Sequence, residues 1–304
     1  MTALTRRRFL AISAATAALP AHASTVPTAT WRGIALGAPA SLQLVGLEQS
    51  QAQPIFSAVE AELSRLELIF SLYKEGSELR RLNANGILRN PSSDLLEVLS
   101  LAGSIHETTG GAFDPSIQPL WLATAQGMNP SGQPQSSNWQ YLSFDSRQIK
   151  FNTPHNNDMA LTLNGIAQGA VTDRIASLLR GFGLRDVLVD MGEIAASGTS
   201  SDGKPWQVGV ADPTDQVVNR VRLSNRAMAT SAPDMPDLSG RARRHIMPPT
   251  PAHQIRQFLV SVSAPTAAIA DGLSTACCLL NNAEIERALA QFPGAQIEAL
   301  RTIT

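Results

Sequence analysis

Strand-like and helix-like segments follow one another along this chain in uneven runs, and that order limits its fold more than any single motif. Residues 31–45 alternate around Gly37-Ala38-Pro39 as a pair of strands. Pro54 opens an amphipathic helix in which Ile55, Val59, Leu63, Leu66 and Phe70 recur at three- and four-residue spacing, with Glu60, Glu62 and Arg65 between them. A second helix starts near Ser92-Ser93-Asp94, carries Leu95, Leu96, Leu99, Ala102 and Ile105, and runs into a glycine-rich turn at 108–115. Residues 126–138, rich in Gly, Pro, Ser and Gln, read as a surface loop. Beyond them, 161–163 reads as a strand end, 167–179 as a helix and 187–189 as a buried strand. Strands follow at 206–210, 217–223 and 258–262, then helices at 267–280 and 283–291. No steady βαβ alternation and no internal repeat is present, so the expected class is α+β.

The 304 residues suffice for a full core. Apolar content of 43% and charged content of 16% describe an ordinary globular chain. With 24 basic and 25 acidic side chains, charge offers no reason to expect nucleic acid or an anionic membrane as partner. The first residues carry an address. Thr5-Arg6-Arg7-Arg8-Phe9-Leu10 reads as a twin-arginine export motif, followed by an apolar run at 11–19, Pro20 and a small-x-small cleavage site at Ala21-His22-Ala23. That run is far below the roughly 20 apolar residues a membrane span needs, which argues against stable insertion. No cysteine stands at the cleavage site, which argues against a lipoprotein. The expected organisation is a signal peptide over 1–23 and one domain over 24–304, delivered to the periplasm. The two cysteines, Cys277 and Cys278, are adjacent in a helical stretch, so a disulfide between them is disfavoured and buried free thiols are expected.

Four clusters could carry chemistry. Thr108-Thr109-Gly110-Gly111-Ala112-Phe113-Asp114-Pro115 exposes backbone N–H groups, or is a plain helix C-cap and turn. Residues 163–173, with Gly165 and Gly169, read as strand, glycine turn and helix N-terminus. Such an end favours a phosphate but also serves as an ordinary connection, and the spacing of a Walker or dinucleotide loop is missing. Asp190-Met191-Gly192-Glu193 follows the buried strand, as a site or as a strand-ending turn. In Ala270-Asp271-Gly272-Leu273-Ser274-Thr275-Ala276, a helix puts the Asp271 carboxylate and the Thr275 hydroxyl on one face. One carboxylate, one hydroxyl and a carbonyl would suit magnesium, which leaves other positions to water and phosphate. Asp271 could instead be the helix N-cap, with Thr266 as the rival cap. His245, in Arg243-Arg244-His245-Ile246, is a candidate base, although a lone histidine is more often a satisfied surface or core residue.

Taken in order, these segments resemble the FAD:protein FMN transferase, or ApbE, family across nearly the whole chain beyond residue 23. The resemblance rests on Phe70-Ser71-Leu72-Tyr73 with Ser77-Glu78-Leu79 and Leu82-Asn83, on Gly110-Gly111-Ala112-Phe113-Asp114-Pro115, and on 164–173 and 189–198. It continues with Met228-Ala229-Thr230-Ser231, where a TSG turn is expected, with His245-Ile246, and with 270–276. It implies an α+β, T-fold-related fold with a mixed sheet and helices around an FAD cleft. It further implies Mg2+ held by Asp271, Thr275 and a carbonyl from Ala167 or a neighbour. Tyr73, Ala112, Phe113, Asp114, Gly165, Glu193, Thr230 and Ser231 would then lie around FAD, with His245 as the base. The implied reaction transfers FMN to a threonine or serine of an acceptor flavoprotein, periplasmic or membrane-bound, and releases AMP. Departures exist. Met247-Pro248-Pro249-Thr250-Pro251-Ala252 replaces an acidic-Pro-x-Thr-Gly run, Ala232 replaces a glycine, and Gln168 stands where lysine is common. Hydrolysis of FAD to FMN and AMP, or a non-catalytic FAD carrier, are the competing expectations.

Overall fold

The computed structural model describes residues 26–126, 138–153, 159–236 and 242–303. The residues read as a signal peptide, and nearly all of the expected loop at 126–138, lie outside them. The chain opens with β1 (Thr28–Ala35) and β2 (Ala38–Val45), paired in antiparallel register from Thr28↔Val45 to Ala35↔Ala38. Their turn is Leu36-Gly37, one position earlier than the sequence centre, and both residues have positive φ (48° and 85°), the geometry that suits the twist of a two-residue hairpin.

Helix α1 (Gln53–Phe70) carries Pro54 in its first turn, where a missing N–H costs nothing, and buries Phe56, Val59, Leu63, Leu66, Ile69 and Phe70. A short helix, α2 (Glu78–Asn85), is capped by Ser77, whose hydroxyl accepts from Arg80 N. Strand β3 (Ile87–Arg89) follows, then α3 (Ser93–Thr108), capped by Ser92. Helix α4 (Gln118–Ala125) precedes β4 (Leu142–Phe144) and β5 (Gln148–Phe151), which form a small sheet in the order β3-β5-β4. Helix α5 (Ala167–Gly181) then leads to β6 (Val187–Asp190) and β7 (Ile194–Ser197), a hairpin.

The hairpin β8 (Trp206–Ala211) and β9 (Val217–Leu223) is followed by β10 (Arg226–Ser231) and a three-residue ribbon, β11 (Asp234–Pro236) with β12 (Ala242–Arg244). Strand β13 (Gln257–Ala264), helices α6 (Ala267–Cys277) and α7 (Asn282–Ala290), and β14 (Gln296–Thr302) complete the chain. The main sheet has seven strands in the order β1-β2-β6-β7-β10-β13-β14, antiparallel at every pairing. The class is α+β, as the uneven order of segments requires.

Two cores flank the sheet. The larger joins the helices and the small sheet to one face, with Leu42, Leu44, Leu66, Leu99, Leu163, Ile166, Val189 and Leu273 fully buried or nearly so. The smaller lies under β8 and β9, around Trp206, Val208, Val210, Leu223 and Met228. Buried Asp94 ties three helices together: it accepts from Arg65 on α1 at 2.7 Å and from Arg174 on α5 at 2.6 Å. Cys277 and Cys278 are free and buried, and burial pushes the Cys277 thiol up to about 12.

Two local expectations are corrected. Residues 161–163 form no strand, because their backbone partners are not a neighbouring strand. Asn83 brackets Leu161 with both ends of its amide at 2.8 Å, and Thr162 N–H donates to Pro115 O. Thr230-Ser231 is not a turn but the end of β10, paired with Ser261 and Val260.

Candidate functional site

The site is built where α5 and α6 run antiparallel. Thr266 is the N-cap of α6, its hydroxyl accepting from Ile269 N, so Asp271 lies within the helix. Its carboxylate leaves its own helix and caps the other: Oδ2 accepts the Gly169 N–H at 3.0 Å, in the first turn of α5. Asp173 on α5 returns the contact, accepting from Ala267 N at 2.8 Å and Ala268 N at 2.9 Å. Each helix thus satisfies N–H groups that the other cannot pair internally. Gly169 is required at the crossing, since a Cβ there would lie 2.4 Å from Ala267 O.

Further along the same contact, Thr275 meets the turn that precedes α5. A Cβ on Gly165 would stand 2.9 Å from Thr275 Oγ1 and 3.3 Å from Phe113 Cε2. Ser231 Oγ is 2.7 Å from Ser274 Oγ and 3.4 Å from Thr275 Oγ1. The fold therefore gathers Phe113, Gly165, Ser231, Asp271 and Thr275 from four separate stretches of sequence. Ala167 is the first residue of α5, while the residue standing directly against Thr275 is Gly165. Thr230 turns its hydroxyl to Ser261 Oγ at 3.0 Å.

Carboxylates crowd this region. Burial raises Asp271 above its ordinary value, the Gly169 N–H opposing that shift. Burial likewise raises Glu193, reinforced by the charges of Asp271 and Asp190, while the Thr230 N–H pulls it back. Asp173 and Asp190 are each pushed up to about 6 by burial. Such groups take up either a proton or a cation. Among the described residues no three His, Cys, Asp or Glu side chains form a metal-binding group. The oxygen donors gathered at the junction are the Asp271 carboxylate and the hydroxyls of Ser231, Ser274 and Thr275, a set that would fit a hard cation completed by water and phosphate and does not fit a thiophilic metal.

A shallow groove, open to solvent, borders the junction. Leu36, the 70–73 segment, Asn164, Ala167 and Gln168 line it. Tyr73 is exposed there. Ala112, Phe113 and Asp114 are buried in the glycine turn. Asp114 Oδ1 accepts from the backbone and hydroxyl of Ser116 at 2.8 and 2.6 Å, but its Oδ2 is buried without a partner. An orphaned acceptor of that kind calls for a donor from outside the chain. His245 follows β12 and is half-buried; its N–H donates at 2.7 Å to Pro233 O, two residues beyond Ser231.

Sequence reading placed Asp173, Asp190 and Gly169 in candidate clusters but gave none of them a role. Asp173 and Gly169 stand in the glycine segment, but their partners lie 94 and 102 positions away. Only the spacing of small residues on both helices hinted at so close a crossing.

The ApbE family profile matches residues 36–300. An FAD:protein FMN transferase of Klebsiella pneumoniae (strain 342) is 28% identical over 295 residues, covering 88% of this chain and 82% of that protein. One from Haemophilus influenzae is 29% identical over 251 residues, covering 73% and 71%. Among solved structures, the flavin transferase ApbE from Vibrio cholerae superposes with a TM-score of 0.72 at 22% identity, covering 90% of this chain and 98% of that one. The apo form of the Pseudomonas stutzeri flavinyl transferase ApbE gives 0.71 at 23% identity, with 92% and 95% covered.

Proposed function

The chain belongs to the ApbE family, and from that premise we propose that it is a magnesium-dependent FAD:protein FMN transferase exported to the periplasm. The observation that carries the reading is the α5–α6 junction, where Asp271 and Thr275 face the N-terminal turn of α5 beside the groove. The positive end of the α5 dipole favours phosphate oxygens there, although its Ala167 and Gly169 amides are already held by Leu163 O and Asp271. Asp271, Thr275 and a backbone carbonyl at Ala167 or in the turn before it would hold magnesium. When bound, the ion offsets negative charge on the pyrophosphate. Tyr73 and the groove take a planar ring, and Asp114 Oδ2 accepts from a polar edge of the ligand. Glu193 lies within the electrostatic reach of Asp271, so a cation at the junction would favour the ionised form of both carboxylates.

In the transfer, a threonine or serine hydroxyl of the acceptor attacks the phosphorus of the FMN half. A new P–O bond forms, the bond to AMP breaks, and AMP leaves with the bridging oxygen. His245 takes the hydroxyl proton. Positioning supplies most of the acceleration in reactions of this kind. The acceptor is an exported or membrane redox protein reached after twin-arginine export. Among the described residues no helix is long and apolar enough to cross a membrane.

Purified protein incubated with FAD, magnesium and a threonine-bearing acceptor tests the reading. Flavin fluorescence on the acceptor band, together with released AMP, supports transfer. AMP without a labelled acceptor would replace transfer with FAD hydrolysis. Retained intact FAD would make the chain a carrier, an outcome to which the proline-rich 247–252 segment would then be the guide.

A further inference from the structure

The reciprocal caps give a task to a residue that the transfer scheme leaves unused. We propose that Asp173 is a positioning residue: by holding the first two amides of α6, it fixes the register in which Asp271 and Thr275 meet the start of α5. The functional consequence rests on the magnesium reading above, whereas the positional claim rests on the geometry alone.

Helix α6 already has a local cap, Thr266, for the Ile269 N–H. Its Ala267 and Ala268 amides remain, and both residues are buried, so their acceptor must come from the protein. Asp173 supplies one carboxylate oxygen to each. A neutral residue local to α6 would suffice for capping alone. The acceptor here comes instead from the neighbouring helix, at the expense of burying a carboxylate. Its neighbour Arg174 anchors α5 on the opposite side, to Asp94 and Glu97 on α3. Asp173 therefore joins α6 to a helix that is itself held.

The crossing transmits that hold. At Gly169 the two backbones touch so closely that no side chain fits between them. One turn beyond Ala267, Asp271 reaches the Gly169 N–H; one further turn places Thr275 against Gly165. A shift of α6 at its first turn is carried along the helix to both groups. Partners that orient a ligand without touching the metal commonly change metal affinity by about 10- to 100-fold when removed.

Three full-chain variants decide the matter: Asp173→Ala, Asp173→Asn and Thr266→Ala. For each, amide exchange at Gly169, melting temperature, and the magnesium concentration that half-saturates FAD binding, read by flavin fluorescence, are measured. Asp173→Ala is expected to speed Gly169 exchange and raise half-saturating magnesium about 10-fold or more. Its turnover at saturating magnesium stays within about threefold of wild type, the mark of lost binding and not of lost chemistry. Asp173→Asn, which keeps one acceptor, falls between, and it decides the question with the same readouts if the alanine variant does not fold. Thr266→Ala removes a cap from the same helix end; it lowers the melting temperature but leaves Gly169 exchange and half-saturating magnesium unchanged. The proposal is overturned if Asp173→Ala leaves both unchanged, or if Thr266→Ala moves them equally. A wild type whose FAD binding ignores magnesium overturns the metal reading, and Gly169 exchange then still decides the positional claim.

Discussion

The α5–α6 junction and the segment that follows Ser231 both belong to the proposed site but are held by different means. At the junction, a buried and a half-buried carboxylate accept backbone N–H groups from residues 94 to 102 positions away, and a glycine lets the helices touch. Beyond Ser231, the chain enters a ribbon of two three-residue strands, β11 and β12, whose Arg244–Asp234 ion pair is half-exposed. Such surface pairs contribute about 0–1 kcal/mol. The junction is tied together by contacts distant in sequence; among the described residues, the ribbon that leads to His245 is paired strand to strand with its own neighbour. Ligand binding and group transfer should therefore be separable by mutation.

The largest effect is expected at the junction. Asp271→Ala removes the one carboxylate of the proposed magnesium site. Several kcal/mol of charge stabilisation corresponds to a fall in turnover of about 1000-fold, with magnesium-dependent FAD binding lost as well. Activity that survives in this variant without metal would break the comparison at its stronger side. On the other side, His245→Ala should lower transfer about 100-fold while FAD affinity stays at its wild-type value. Weakened FAD binding there would show that the two regions are not separable. Gly169→Ala is next: its methyl group meets the Ala267 carbonyl, and overpacking of this kind costs about 1–3 kcal/mol, read as a lower denaturation midpoint.

The smallest effect is a pH dependence confined to the junction. Burial raises Asp173 and Asp190 from 3.8 to about 6, so the folded chain retains protons in that interval that the unfolded chain has released. Stability of the metal-free protein should fall as pH rises through the interval, and further as Asp271, raised to about 7, and the raised Glu193 lose their protons. Magnesium binds ionised carboxylates, so the rise in melting temperature on adding it should be larger at about pH 8 than at about pH 5.5. An equal rise at both would detach the carboxylates from the metal.

Much of this was legible in the sequence, and the exceptions have physical reasons. Helices α1, α3 and α5 announce themselves by apolar spacing, and Ser92 by its capping chemistry. Strand β7 escapes because Ile194-Ala195-Ala196-Ser197 is mostly small residues with little strand preference. Helix α2 is short and mostly polar, with only Leu79 and Leu82 buried. The 161–163 segment reads as a strand because Leu161 and Leu163 alternate with Thr162, yet Asn83 pairs its backbone where a strand would. Within the site, Asp271 and Thr275 could be paired by helical spacing, but which residue caps α6 stayed open until Thr266 was seen to do so. Ala232, where the family has glycine, is not at positive φ, so the substitution stores no backbone strain.

The central claim is that Asp271 and Thr275 hold a divalent ion against the start of α5. Crystals grown with FAD and manganese, examined by anomalous diffraction, test it most directly. The account predicts a single strong peak about 2.1 Å from an Asp271 oxygen and from Thr275 Oγ1, beside the FAD phosphates. Bound FAD with no peak there, and Asp271 engaged only with the Gly169 amide, would contradict it.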